Sequence, residues 1–397
     1  MQKILSAMLF FPSVTFNSLP AEIFPWAFLK SLFLRVRLSA YDVLVLMVLC
    51  IGLLAGLLNY GPSASITTFA SYINPLLIFM VLSSVSPNYC ISLYPLVERI
   101  FLGLLFLGIC QFLGLLDLIQ FLFDFLTPRG GAGVFGHGGR GVSLLSTEPS
   151  RAGVEVVFIY ALLVTMSQKT ESFIRGSILQ DFLLLVFLTF IIGSFTALAY
   201  GLIFIGARRP VLIVPMLTLG IVILSIFFVE SRVIQFAFTL AGLGGILELI
   251  ETVTSASGFR FISVISAYVY AANNLVGHGI GAWSYEAINS YLLAGYSVDD
   301  ITFFRYHHDG VFVNLKPTAF MALVALELGL IPLCFLAGYL LLRVGHLFSS
   351  LWSANMALGT IFLFYVFCVG AVGNPVPWVC AALAFRSSRI RKKDDQK

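Results

Sequence analysis

The sequence predicts an all-α polytopic membrane protein with about 11–12 transmembrane helices. Three observations carry this. Residues A, V, I, L, M, F, W, Y and C make up 59% of the 397 residues, above the ~45–50% usual for soluble domains even with Gly counted there. Charged residues are 11%, against a usual ~25%. Mean hydropathy is +0.99. So few charges cannot cover a folded surface in water, whereas a lipid-facing surface needs none. Extended disorder, a collagen-like chain and a disulfide scaffold are excluded by the same figures.

The elements follow in order. A crossing helix needs roughly 20 apolar residues. Runs of that kind fall at 41–58, 64–85, 100–125, 152–167, 211–229, 317–342 and 353–373. Before them, 4–13 and 21–34 are apolar but short, and Pro12, Pro20 and Pro25 interrupt them. The stretch 178–207 is too long for one untilted crossing. Gly193, Ser194 and Thr196 in its middle divide it into two short helices, 178–193 and 196–207. A short last crossing, 376–386, follows Asn374-Pro375.

The formal charge of +4 orients this map. Arg386 to Lys397 hold six basic and two acidic side chains, so the rest of the chain is neutral. A basic tail of this kind marks a cytoplasmic end and gives no reason to expect nucleic acid as a partner. Counting back from it, Arg343 with His346, Arg208-Arg209, Lys169 with Arg175, Arg99, and Arg35 with Arg37 all fall on the cytoplasmic side. The chain then divides into N-terminal crossings (1–125), an outer segment (126–151), central crossings (152–229), a large outer segment (230–316), C-terminal crossings (317–386) and the tail (387–397). The six cysteines form no CxxC pair and read as small buried hydrophobes rather than disulfide or zinc residues. No cleavable signal peptide is visible. A Walker loop, a GxGxxG turn after a strand and HExxH are absent, and no transporter-type repeat is visible.

The unusual chemistry sits in the two outer segments. In 127–153, TPRGGAGVFGHGGRGVSLLSTEPSRAG, six glycines precede Arg140 and keep the backbone open to a ligand. Arg129, Arg140 and Arg151 supply charge, with His137 between them. Glu148-Pro149-Ser150 begins a helix that Ser146 or Thr147 is expected to cap. Arginines beside a helix N-terminus suit an anion, phosphate above all; the alternative is a flexible loop with a capped helix entry.

The large segment opens with 233–250, apolar residues between Glu230 and Glu248/Glu251. A crossing there would invert everything after it, so an interfacial or re-entrant helix is the preferred reading. From Arg260 an amphipathic helix carries Tyr268 and Tyr270 and ends at Asn273-Asn274. Gly277-His278-Gly279-Ile280-Gly281 then forms a turn whose backbone can approach a ligand. Trp283, Tyr285, Tyr291 and Tyr296 suit either the membrane interface or stacking on a sugar face. Arg305, His307, His308, Asp309 and Lys316 come just before the next crossing, which contains Glu327-Leu328-Gly329-Leu330.

These segments resemble a known family. GRGVSLLSTEPSRAG resembles the "R-x-x-G/S-x-x-x-E-P-S" segment of bacterial Wzy-type polysaccharide polymerases, a superfamily shared with the O-antigen ligases. The matched positions are Arg140, Ser143, Glu148, Pro149 and Ser150. The stretch from Arg260 through Gly277, Gly279 and Gly281 is similar to the family's "R … N/P-h-x-G-x-G-h-G" stretch. His307 to Gly329 is similar to its "H-N … E-x-G" and "K-P-x-S … E-x-G" regions. Asp309 stands where a ligase has Asn after its catalytic histidine, and Thr318 follows Lys316-Pro317. The TEPS segment and Lys316-Pro317 favour a polymerase; the doubled histidine keeps a ligase open.

The resemblance implies a GT-C-like bundle with two functional periplasmic loops in the bacterial inner membrane. The implied reaction joins oligosaccharide repeat units carried on polyprenyl pyrophosphate. It needs cations for the leaving group and a base for the acceptor hydroxyl. Arginine suits pyrophosphate because its planar fork stays charged and binds two oxygens. The implied roles are as follows. Arg140, Arg151, Arg260 and Arg305, with Lys316, hold pyrophosphate or sugar. His307 or His308 is the base, oriented by Asp309 or Glu148. Gly277, His278, Gly279 and Gly281 approach the substrate. No metal or cofactor is expected. The expected partners are the lipid-linked oligosaccharide, the bilayer and, from the family, a chain-length regulator. A ligase of the same fold is the near alternative. A lipid-linked glycan transporter is the alternative from another class, and it would need its charges at the bilayer midplane, whereas Asp181 and Glu327 fall near helix ends on this map.

Overall fold

A computed structural model describes residues 6–10, 25–34, 38–115, 141–146, 148–167, 173–212, 259–299 and 301–394. Arg140, His137 and Thr147 lie outside the described residues. So do almost all of the expected crossing at 211–229 and the whole of 233–250. Among the described residues there is no strand. The helices are α1 (Pro25–Leu32), α2 (Ala40–Tyr60), α3 (Pro62–Ser84), α4 (Pro87–Phe112), α5 (Pro149–Met166), α6 (Ile178–Val186), α7 (Phe195–Arg208), α8 (Phe259–Asn273), α9 (Trp283–Leu293), α10 (Thr302–His307), α11 (Phe320–Leu328), α12 (Leu330–Val344), α13 (Ala354–Phe367) and α14 (Val376–Asp394).

The starts are written in the sequence. Pro62, Pro87 and Pro149 occupy first helical positions, where the missing N–H costs nothing. Ser39 and Ser177 form capping boxes with Asp42 and Gln180, and Ser86, Ser194 and Ser353 cap α4, α7 and α13. Among the described residues five helical spans are long and apolar enough to cross a membrane: Ala40–Tyr60, Pro62–Ser84, Asn88–Phe112, Pro149–Met166 and Leu330–Phe348. Four shorter apolar segments join them, at Ile178–Ile192, Phe195–Arg208, Ala354–Phe367 and Val376–Ser387.

Three boundaries need correcting. The crossing expected at 100–125 is α4, running from Pro87 to Phe112, because Ser86-Pro87 starts a helix that the apolar count overlooked. The crossing expected at 353–373 ends at Phe367. The crossing expected at 317–342 is two helices, α11 and α12, parted at Gly329 with φ +84. The 178–207 stretch divides where its sequence places the break: α6 continues as a π turn over Phe187–Ile192, and Gly193 closes it in the left-handed conformation before α7.

α5 and α14 form the centre. Most of α5 is buried, as is every side chain from Val376 to Phe385. α14 packs on α3, α4 and α5, and α7 packs on α5 and α13. Lipid provides no hydrophobic drive between helices, so close packing through small residues carries the association. A Cβ on Gly153 would fall 2.2 Å from Ala197 Cβ, which shows how near α5 and α7 come. Trp378 fills the middle, with ring centroids 5.0 Å from Phe320, 5.1 Å from Phe362 and 5.8 Å from Phe79. Each such pair adds about 0.5–1.5 kcal/mol beyond burial. On the rim, Met47, Ile51, Leu54 and Leu58 of α2 and Phe106 of α4 are exposed, as lipid-facing side chains are. Residues 259–326 have a second, smaller core built from Ile262, Tyr270, Tyr291, Phe304 and Leu326.

Two ion-paired clasps stand at the opposite end of the bundle from that module. Asp181 accepts from the Tyr160 hydroxyl at 2.6 Å and from Arg208, with Arg209 3.4 Å away. Asp42 accepts from Tyr339 and from Arg343, each at 2.6 Å. Three of the arginines that orient the chain in the sequence, Arg208, Arg209 and Arg343, are therefore paired.

Candidate functional site

The site grows from the N-terminus of α5. Glu148 is its N-cap residue, with extended φ −146, and Pro149 starts the helix. The expected Ser146 cap does not form: the Ser146 hydroxyl instead donates to Glu155 Oε2 at 2.7 Å. Asn374, just before α14, donates to Glu155 Oε1 at 2.8 Å. Glu155 lies one helical turn beyond Arg151, on the same face. Arg151 lies within electrostatic reach of the Glu155 carboxylate and of the Arg260 guanidinium.

Arg260, at the start of α8, reaches this point from the other module. Its Nη2 donates to Glu148 Oε2 at 2.7 Å, and its Nη1 lies 3.4 Å from Ser150 Oγ. The two side chains are 38% and 40% exposed, so the pair faces an opening rather than the core. Thr318 closes the third side. Its hydroxyl donates to the Arg260 carbonyl at 3.2 Å, and its own carbonyl accepts from Gly370 N at 2.7 Å. Glu148, Ser150, Arg151, Glu155, Arg260, Thr318 and Asn374 thus converge from four distant stretches of chain.

Lys316 points the other way. Its ammonium donates to Ser71 Oγ at 3.0 Å on α3. Burial lowers its pKa from the ordinary lysine value, and the Glu327 carboxylate opposes that shift. Glu327 is fully buried at the end of α11. It accepts from the Tyr72 hydroxyl at 2.7 Å and from Gly281 N at 2.7 Å. The break after it frees two carbonyls. Gly277 N donates to Leu328 O at 2.8 Å and Gly279 N to Glu327 O at 2.9 Å, while Leu330 N and Ile331 N return bonds to Asn274 O and Leu275 O. Every freed backbone group of an interrupted membrane helix needs such a partner.

A Cβ on Gly277 would lie 2.2 Å from the Glu327 carbonyl oxygen, on Gly279 2.4 Å from Gly56 N, and on Gly281 2.9 Å from Ser65 Oγ. The close approach that demands glycine at these positions is to α2, α3 and the helix break.

His278 is exposed beside this turn, its Nδ1 3.2 Å from the Tyr270 hydroxyl. Tyr270 donates to Glu286 Oε2 at 3.0 Å, and burial together with the nearby Glu286 raises its pKa above the ordinary tyrosine value. Trp283 donates to Thr68 at 2.9 Å.

The structure therefore brings together Glu148, Arg151 and Arg260, with Lys316 on the inner side of the same 316–318 strip. It does not bring in Arg305, which is exposed with its guanidinium 5.5 Å from the Tyr306 ring centre. The His308 ring packs on Phe303 at 5.1 Å and Phe304 at 5.9 Å. Phe303 and Phe304 in turn pack on Phe259, the neighbour of Arg260. Asp309 is exposed in a left-handed turn with φ +49. Among the described residues no hydrogen bond joins His308 to Asp309 or to Glu148, and Glu148 serves Arg260 instead. His307 ends α10. No three His, Cys, Asp or Glu residues come together as a metal cage would need, again among the described residues. Glu155, Asn374 and Tyr72 carry little signal in the sequence itself. The Arg151–Glu155 spacing was the one available signal; the partners of the others are too remote in the chain.

No family model, curated protein or solved structure matches the chain. The fold class rests on the helices themselves: an all-α protein with several apolar, membrane-compatible helices.

Proposed function

We propose that this chain is a membrane glycosyltransferase, a polysaccharide polymerase. In this reading it joins polyprenyl-pyrophosphate-linked oligosaccharide units on the periplasmic face of the bacterial inner membrane. The observation that carries the reading is the convergence of Arg151 and Arg260 beside Glu148 at one end of an apolar bundle. The TEPS resemblance supports it. In sequence, Arg140 immediately precedes Gly141 of the same segment.

The proposed chemistry is a displacement at the anomeric carbon of the donor. The acceptor hydroxyl oxygen bonds to that carbon, the bond to the pyrophosphate oxygen breaks, and the hydroxyl proton passes to His308 or His307. The pyrophosphate leaves on its prenyl chain. Arginine forks stabilise the charge that gathers on it. Glu148 positions Arg260, and the phenylalanines around His308 fix its ring. The same proposal includes about 11–12 crossings in a GT-C-like arrangement, a cytoplasmic C-terminus and a chain-length regulator as partner.

The test is complementation of a bacterial strain lacking its own polymerase, with glycan chain length read on a gel. The wild type restores a ladder, and Arg140→Ala, Arg260→Ala and His308→Ala each remove it. Long chains surviving all three changes overturn the site. Transfer of single units with no ladder makes the chain a ligase, and lipid-linked units moved across the membrane without joining make it a transporter.

A further inference from the structure

We infer that Tyr285, Glu286 and His278, with Tyr60 beneath, form a sugar-binding platform for a pyranose of the glycan. Of the four aromatic residues that close this part of the sequence, the structure leaves one available. Tyr291 is buried, Trp283 is spent on Thr68, and Tyr296 is half-buried. Tyr285 stacks on Tyr60 with centroids 5.0 Å apart and planes at 21°, yet remains 59% exposed. A ring covered on one face and still that exposed has its other face open. An open aromatic face attracts the weakly positive C–H face of a pyranose through its negative quadrupole.

The polar rim fits the same ligand. A carboxylate only accepts, so the Tyr270 proton must go to Glu286 Oε2. Tyr270 then accepts from His278 Nδ1. With Nδ1 carrying the hydrogen, His278 Nε2 is an acceptor in the neutral ring. Asn289 also donates to Glu286 Oε2, at 2.9 Å, and Asn59 holds the His278 carbonyl at 2.8 Å. Among the described residues Glu286 Oε1 and His278 Nε2 have no hydrogen-bond partner. The platform therefore offers an apolar face and two acceptors, which suits hydroxyl donors. Its carboxylate repels phosphate. Arg260 and Tyr270 stand ten residues apart on α8, about 15 Å at 1.5 Å per residue. The anion-binding end and the sugar-binding end are thus distinct. That the bound sugar belongs to the acceptor chain rests on the polymerase reading; sugar binding itself does not.

The experiment uses the full chain in lipid nanodiscs and saturation-transfer NMR. The probe is the oligosaccharide released by mild acid from the lipid-linked pool of the producing cells. Saturation is expected on its ring protons with wild-type protein. Tyr285→Ala should weaken binding at least tenfold, Glu286→Gln severalfold, and Tyr285→Trp should retain it. Arg260→Ala should bind the probe normally while losing chain elongation. No transfer with wild type, or equal transfer with Tyr285→Ala, overturns the platform; so does a Tyr285→Ala protein that only melts earlier, the behaviour of a bilayer-interface anchor. Normal probe binding by a wild type that fails to build a ladder sinks the polymerase reading and leaves the platform standing.

Discussion

The Tyr72 hydroxyl donates to the Glu327 carboxylate at 2.7 Å inside the bundle, 255 positions apart in the chain. The same carboxylate takes the Gly281 amide, so one side chain ties α3, α11 and the glycine turn together. Lys316, near enough to sense its charge, is held on α3 by Ser71.

Glu327→Ala strips two buried donors of their acceptor. Each orphaned buried group costs about 1–3 kcal/mol, so the variant should lose several degrees of Tm in detergent. Glu327→Gln keeps one acceptor oxygen and should lose less. Equal melting of the two variants contradicts the account.

Gly56→Ala should prevent folding of the turn. An added Cβ falls 1.9 Å from the Ile280 carbonyl oxygen, which is backbone and has no room to give. Gly103→Ala meets nothing within 4 Å and should be neutral or slightly stabilising, since Ala is the better helix former by about 0.5–1 kcal/mol. Size-exclusion profiles of the two variants in detergent report the contrast, and similar monodisperse yields refute it.

The Glu148–Arg260 pair is half exposed, so its contribution to stability is small, about 0.2–1 kcal/mol. Glu148→Gln should leave Tm nearly unchanged. The swap Glu148→Arg with Arg260→Glu restores an ion pair yet removes the cation from its place. Under the proposed polymerase function, normal melting without glycan laddering is expected; a swapped variant that builds long chains argues against Arg260 as an anion ligand.

Lys316 gives the protein a pH signature. Its folded-state pKa lies below the ordinary value near 10.4. Between those values the unfolded chain binds more protons than the folded one. Stability therefore rises with pH through that interval and is lost as pH falls through it. Melting curves from about pH 7 to about pH 10 should show the slope, and Lys316→Met should flatten it. An unchanged slope in the variant shows that another group titrates.

Much of the helical layout is legible from local signals. Proline starts, serine caps and the Gly193-Ser194 interruption are short-range features, and α5 begins at the Pro149 of the TEPS segment. The break at Gly329 escaped because apolar residues run on through it, and hydropathy registers length but not φ. Arg151, Arg260 and Glu148 stand out as charges in an apolar chain. What they touch does not, because Asn374 and Thr318 reach the site only through packing of distant helices. The packing of the glycine turn on α2 and α3 is hidden for a related reason: glycine signals close approach without saying to what.

The backbone exchange between 274–281 and the α11–α12 break also orders the making of the protein. Gly277 and Gly279 donate to carbonyls of residues the ribosome adds later, Leu328 and Glu327. The turn is therefore left incomplete in the nascent chain until α11 has been inserted. A truncation ending before Phe320 leaves those amides without their partners, and assembly of the 259–326 module waits on the last fifth of the chain.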